Sequence, residues 1–216
     1  MVPINHILAN AANYGGEREF SDIGWIVMHY TANQNDTAEG NGKYFANNVV
    51  KASAHLFVDD DSIVLSVPFN RIAYSVGGKK YANCAKTGGG KYYGKCTNAN
   101  SISVELCCGA DGNPTAKTIA NALELVLFLR EEYGIPQERV IRHFDVTGKP
   151  CPAFWCGSAE KDAQWKIAFW NLCNPSVMEA RKHIQDKTGL ADKTMDWLCT
   201  YTYNDSLLMK LAAAMK

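Results

Sequence analysis

The stretch VIRHFDVTGKPCP, Val140 to Pro152, puts a histidine, a lysine and a cysteine within nine residues, behind a short apolar run. His143 and Cys151 are metal-ligand types, and Lys149 is a cation two residues before the sulfur. Pro150 and Pro152 flank Cys151, and their fixed φ angles stiffen a loop that can hold a sulfur in one direction. A catalytic zinc takes three protein ligands and keeps its fourth position for water. A third ligand must therefore come from elsewhere in the chain. His29 ends the apolar run IGWIVMHYTA as His143 ends VIRH, and α/β folds put working residues at strand ends.

Each of these residues also has a plainer reading. A single cysteine is more often a buried structural thiol than a ligand, and a lysine in a loop is usually a solvated one. His6, in a polar start, and His183, in a tail helix, read as surface residues. His55 lies inside SAHLFV, where a hydrogen-bonded core histidine is the common outcome. If His55 instead joined the other ligands, the site would close with four protein groups and be structural. Cys156, in FWC, reads as the apolar lead-in to a helix.

The elements that must carry these groups follow from the periodicity. IGWIVMHYTA and SISVELCC are short apolar runs rich in β-branched residues, which predicts buried strands. TAEGNGKYFANNVV has helical spacing with Thr37 as its N-cap. SAHLFVDD and SIVLSVPFN predict a hairpin across the turn Asp59–Asp61. A Gly/Asn/Lys-rich stretch, 77–100, reads as a surface loop. TAKTIANALELVLFLREEYG is the clearest helix, stopped at Gly134, and SAEKDAQWKIAFWNLC predicts another, capped by Ser158. This order predicts an α/β domain with a mixed central sheet flanked by helices. NPS at 174–176 interrupts the pattern, and three short helical segments follow it. The expected division is a domain over 1–173 and a small helical appendage over 174–216, too short for a robust core of its own.

Composition excludes other classes. The 216 residues contain 22 Lys plus Arg and 22 Asp plus Glu, so no basic excess points to nucleic acid. No run of about 18 apolar residues predicts a membrane span. The start, MVPINHILANAANYGGE, has neither the basic nor the apolar region of a signal peptide, which implies synthesis and folding in a cytoplasm. Its eight cysteines are then expected as thiols. Cys84 and Cys96 bracket AKTGGGKYYGK and could close a loop in an oxidising medium, with free thiols as the default.

WIVMHYTAN, SAHLFVDD, NSISVEL and IRHFDVTGKPCP together resemble the zinc-dependent N-acetylmuramoyl-L-alanine amidases of phage endolysins and bacterial autolysins, relatives of the peptidoglycan recognition proteins. The resemblance covers about Ile23 to Cys173. It implies one Zn2+ held by His29, His143 and Cys151, with Lys149 polarising the scissile carbonyl and Glu105 handling the proton of the attacking water. Other members use a tyrosine just before the hairpin histidine. Ala54 stands there in this chain, which shifts the weight to Glu105. The chemistry is consistent: an amide needs a proton shuttle to its leaving nitrogen and a cation at the carbonyl oxygen where charge builds. A glutamate in a strand usually faces solvent, yet SISVEL is otherwise buried in pattern.

The resemblance implies bacterial peptidoglycan as the partner, with neither nucleic-acid binding nor membrane insertion, and release to the wall through holin pores at lysis. Tyr92 and Tyr93, in the long loop, are the expected substrate contacts. The tail from Asn174 would serve wall targeting or self-association. Two alternatives stay open at this point: an intracellular amidase trimming muropeptides, and a non-catalytic peptidoglycan-binding protein, against which Cys151 and Lys149 argue.

Overall fold

In chain order the first strands are β1 (Ile4–His6), β2 (Tyr14–Glu17) and β3 (Trp25–Tyr30), followed by helix α1 (Ala38–Asn47). Then come β4 (Leu56–Val58), β5 (Ile63–Leu65), β6 (Arg71–Ala73), the single-turn helix α2 (Cys84–Thr87) and β7 (Ser101–Leu106). Helix α3 (Ala116–Tyr133), β8 (Val140–Arg142) and the short α4 (His143–Thr147) complete the first unit. This computed structural model describes residues 1–199 and 204–215.

Six strands form one mixed sheet in the order β1-β5-β4-β7-β3-β8, and β2 pairs with β6 in a separate two-stranded sheet. Within the large sheet, β4 and β5 are antiparallel and every other neighbouring pair is parallel. The apolar run in β3 fits its central place: Ile26, Val27 and Met28 are all fully buried, as a strand covered on both faces must be. Complete burial of one such side chain contributes about 1.5–3 kcal/mol.

One residue organises the turn and a helix together. The Asp59 carboxylate accepts from the Asp61 and Ser62 amides, 2.9 and 2.7 Å, closing the β4–β5 hairpin as an Asx turn. Its other oxygen accepts from Ala38 N at 2.8 Å, while Thr37 Oγ1 accepts from Gly40 N, so α1 starts with its amides satisfied. Asn121 on α3 donates to the carbonyls of Asp59 and Asp60, tying that helix to the same turn. Gly134 ends α3 in the left-handed region, φ +61°, as its place after the last helical residue predicts.

Five of these elements are absent from the sequence reading: β1, β2, β6, α2 and α4. β1 is three exposed residues with no period, and it takes its place by pairing parallel to β5. His143 is not the last residue of a strand but the first of a five-residue helix.

The chain divides into two compact units, Met1–Gly157 and Ser158–Lys216. The sequence pattern puts the boundary at Cys173 instead. In the second unit α5 (Ala159–Ala168) starts at a Ser158 cap and leads into a 3-10 turn, Trp170–Cys173, that packs with the tail helices. Asn174 and Pro175 then open α6 (Pro175–Thr188), so the interruption at NPS is a helix start: Asn174 Oδ1 accepts from Ser176 N. The tail continues with α7 (Asp192–Leu198) and α8 (Asn204–Ala214), and α6 packs on α8 through buried Val177, Ala180, Ile184 and Leu208. Residues 200–202, the end of the expected helix TMDWLCTYT, lie outside the described residues.

Candidate metal centre

His29 leaves the sheet near the end of β3, and the parallel register sets Glu105 of β7 directly beside it. Neighbouring strands keep such partners at the spacing of the sheet, so this pair is positioned by backbone hydrogen bonds and not by loops. The third group, His143, opens α4 directly after β8, which pairs with the other side of β3. Arg142 and Asp145 lock that junction. The guanidinium donates to both carboxylate oxygens, 2.9 and 2.8 Å, the Arg142 amide donates to the same carboxylate, and Nη1 donates to the Trp155 carbonyl at 2.6 Å. The Cys151 carbonyl accepts from Phe144 N at 2.9 Å, which brings the KPCP loop back onto α4. The Cys151–Pro152 peptide bond is cis.

These elements converge. One ligand atom each from His29, His143 and Cys151 lies within 4.8 Å of the others, and all three residues are buried. Cys151 Sγ is 3.8 Å from His29 Nδ1, and the two imidazole centroids are 4.8 Å apart. Glu105 Oε1 lies 3.9 Å from His29 Nδ1, with the carboxylate side chain 21% exposed.

The polar atoms here lack protein partners to an unusual degree. His29 Nε2, both nitrogens of His143 and Glu105 Oε2 are buried without a hydrogen bond. Each such atom costs about 1–3 kcal/mol unless a ligand or water meets it. Burial, then the neighbouring His143 and the Lys149 charge, lower the pKa of His29, and burial and Lys149 lower that of His143 to about 4. Both imidazoles are thus neutral, the form that binds metal. Burial, with the nearby Glu105, pushes the Cys151 thiol up, and burial pushes Glu105 up to about 7 against the pull of Lys149. A dication among these groups would reverse the first of these shifts and stabilise the thiolate. Two neutral imidazoles, one sulfur and several unmet lone pairs fit a zinc ion.

His55 stands apart from this cluster. Its ring nitrogens lie 3.1 Å from Ser103 Oγ and 2.9 Å from Arg18 Nη2, so it is a hydrogen-bonded core histidine and leaves the cluster with three members.

An open cleft of about 520 Å³ meets the cluster at His143. Lys149 and Thr147 line one side, and Ser75, Lys79, Lys80 and Tyr81 line another. Tyr92 and Tyr93 are not among its lining residues. Tyr92 packs on Trp25 with ring centroids 4.9 Å apart, and the Tyr93 hydroxyl donates to the Gly78 carbonyl. The loop 77–100 runs alongside α4 through three backbone bonds: Tyr81 N to Thr147 O, Gly90 N to Phe144 O and Tyr92 N to Asp145 O. These bonds bring Tyr81 and its preceding lysines into the cleft wall. The pair Lys79–Lys80 just before an aromatic residue is the sequence signal that could have marked them. Cys84 and Cys96 are both free thiols in buried surroundings, and burial pushes Cys96 up to about 12.

The family model for N-acetylmuramoyl-L-alanine amidase matches residues 19–154, which contain the whole cluster. The chain is 35% identical over 146 residues to the N-acetylmuramoyl-L-alanine amidase BlyA of Bacillus subtilis (strain 168), covering 65% of this chain and 39% of that protein. It is 36% identical over 143 residues to the amidase CwlL of Bacillus licheniformis, covering 63% and 38%. It thus spans about two fifths of the length of these curated relatives. A solved structure described as a mutant endolysin from Bacillus subtilis superposes with a TM-score of 0.62 at 27% identity, over 81% of this chain and all of that one.

Proposed function

Because the chain belongs to the N-acetylmuramoyl-L-alanine amidase family, we propose that it hydrolyses the amide bond between N-acetylmuramic acid and L-alanine in bacterial peptidoglycan. What supports this reading is the convergence of buried His29, His143 and Cys151 beside Glu105 at the edge of an open cleft, with His29 Nε2 and both His143 nitrogens unpartnered. His29, His143 and Cys151 would hold one Zn2+, which when bound supplies Lewis acidity at neutral pH.

The remaining roles fall to this chain's own side chains. Glu105, its pKa raised to about 7 by burial, takes a proton from the attacking water and returns it to the leaving nitrogen. Lys149 offers an ammonium to the carbonyl oxygen as negative charge builds there. The carbon–nitrogen bond then breaks, leaving the lactyl carboxylate on the sugar and a free L-alanyl amine on the peptide.

The test uses Gram-positive sacculi with and without a chelator, scoring freed L-alanine amino termini against new reducing sugar ends. Amino termini should rise, reducing ends should not, and chelation should stop the release. Glu105→Ala and Lys149→Ala should each lower the rate about 10²-fold or more with zinc still bound. Near-full activity in either variant would remove the role given to that residue.

A solved relative is described as an endolysin, which favours a lytic role at the wall, with release through holin pores. No helix among the described residues is long and apolar enough to cross a membrane. The helical segment 174–216 is read as a wall-targeting or self-association module, and sedimentation of the full chain with and without sacculi separates the two.

A further inference from the structure

The loop that walls the cleft has an extreme charge pattern. Between Gly77 and Asn100 it carries five lysines and no acidic residue, although the chain as a whole balances at 22 and 22. Two of those lysines, Lys79 and Lys80, line the cleft with Lys149 and His143. Among the described residues, Lys43, Lys117, Lys166 and Lys182 are in ion pairs, whereas Lys79, Lys80 and Lys149 are in none. The segment is fixed against the site, since Tyr81 N donates to Thr147 O at 2.8 Å, one residue past Lys80 and two before Lys149. Three ammonium groups on one concave surface, of which only Lys149 feels a nearby carboxyl, Glu105, make that surface complementary to an anion.

We infer that Lys79 and Lys80 form an anion subsite on the cleft wall that takes a carboxylate of the peptide stem, so that the chain discriminates between stems with a free and an amidated carboxyl. This rests on the hydrolase reading above and adds the substrate class to it. Peptidoglycan stems carry carboxylates on the peptide side of the scissile amide, and capping one as an amide removes its charge with little change of shape. Both lysines are solvent-exposed, so the discrimination each supplies is modest and falls with salt.

The experiment compares two soluble N-acetylmuramoyl-peptides that differ only in whether the second residue's α-carboxyl is free or amidated. Turnover is measured as kcat/KM and affinity by calorimetry, both at low salt and at 0.5 M salt. The wild type should prefer the free carboxylate by about five- to tenfold at low salt. Lys79→Gln/Lys80→Gln should bring that ratio close to one, and Lys79→Arg/Lys80→Arg should restore it. Far-ultraviolet circular dichroism and zinc content check that each variant is folded. Equal affinity of the wild type for the two peptides overturns the subsite, as does a Gln double variant that keeps the preference. No turnover of either peptide by the wild type would defeat the hydrolase reading alone, because the binding arm still decides this one.

Discussion

Gly148 is the residue whose replacement tests the packing around the site most sharply. It sits between Thr147 and Lys149 with φ +82°, closing α4 in the left-handed region. An alanine there pays about 1–2 kcal/mol for that conformation. Its Cβ would also land on Cys84 Sγ inside van der Waals contact, with Tyr81 Cβ 3.3 Å away. Cys84 has little room to yield, being buried and donating to the Thr147 carbonyl at 3.3 Å. Overpacking of this kind costs about 1–3 kcal/mol more. Gly148→Ala should therefore lose about 2–5 kcal/mol in urea unfolding with an unchanged m-value. In a Cys84→Ala background the clash with the sulfur disappears, and the same substitution should cost only about 1–2 kcal/mol. A loss below about 0.5 kcal/mol, or the same loss in both backgrounds, would refute the seam between the loop 77–100 and α4.

Cys151→Ser should lower bound zinc, measured by elemental analysis after gel filtration, well below the wild-type ratio, and chelation should lower the wild-type melting temperature. At zinc a thousandfold above its dissociation constant the lost stabilisation is about 4 kcal/mol. Burial and the adjacent Arg18 hold His55 down to about 3, so the fold keeps it neutral while an unfolded chain protonates it near pH 6.5. The unfolded state then binds more protons between those values, and the stability His55 contributes is complete above pH 6.5 and lost as pH falls toward 3. Urea midpoints against pH for wild type and His55→Asn should show a steeper acid loss in the wild type, up to about 5 kcal/mol. Asp145→Ala removes one partner of a buried pair whose side chains are 6% and 14% exposed, and should cost about 3–5 kcal/mol and weaken zinc retention, since it frees the start of α4.

Much of this site was legible because local rules and tertiary needs agree. WIVMHY and SISVEL read as buried strands and are β3 and β7, and Thr37 and Ser158 cap helices where their spacing indicates. What the sequence could not show is register. That Glu105 is level with His29 depends on how two strands, joined by a long excursion, slide against each other. The wall of the cleft was hidden for a similar reason. Tyr92 and Tyr93 attract notice as paired aromatics, but Tyr92 packs on Trp25 and the Tyr93 hydroxyl bonds to Gly78, while Tyr81 and its lysines line the cleft. β1 has no period to read, because a three-residue edge strand buries no face.

The strand-to-strand placement of His29 and Glu105 separates two kinds of change in this molecule. The loop 77–100, which lies between them in the chain, can lengthen, shorten or recolour the cleft without altering how far apart that imidazole and that carboxyl stand. Diversification of what is gripped is thereby uncoupled from the reaction geometry, apart from the narrow seam where Gly89 and Gly148 touch backbone to backbone.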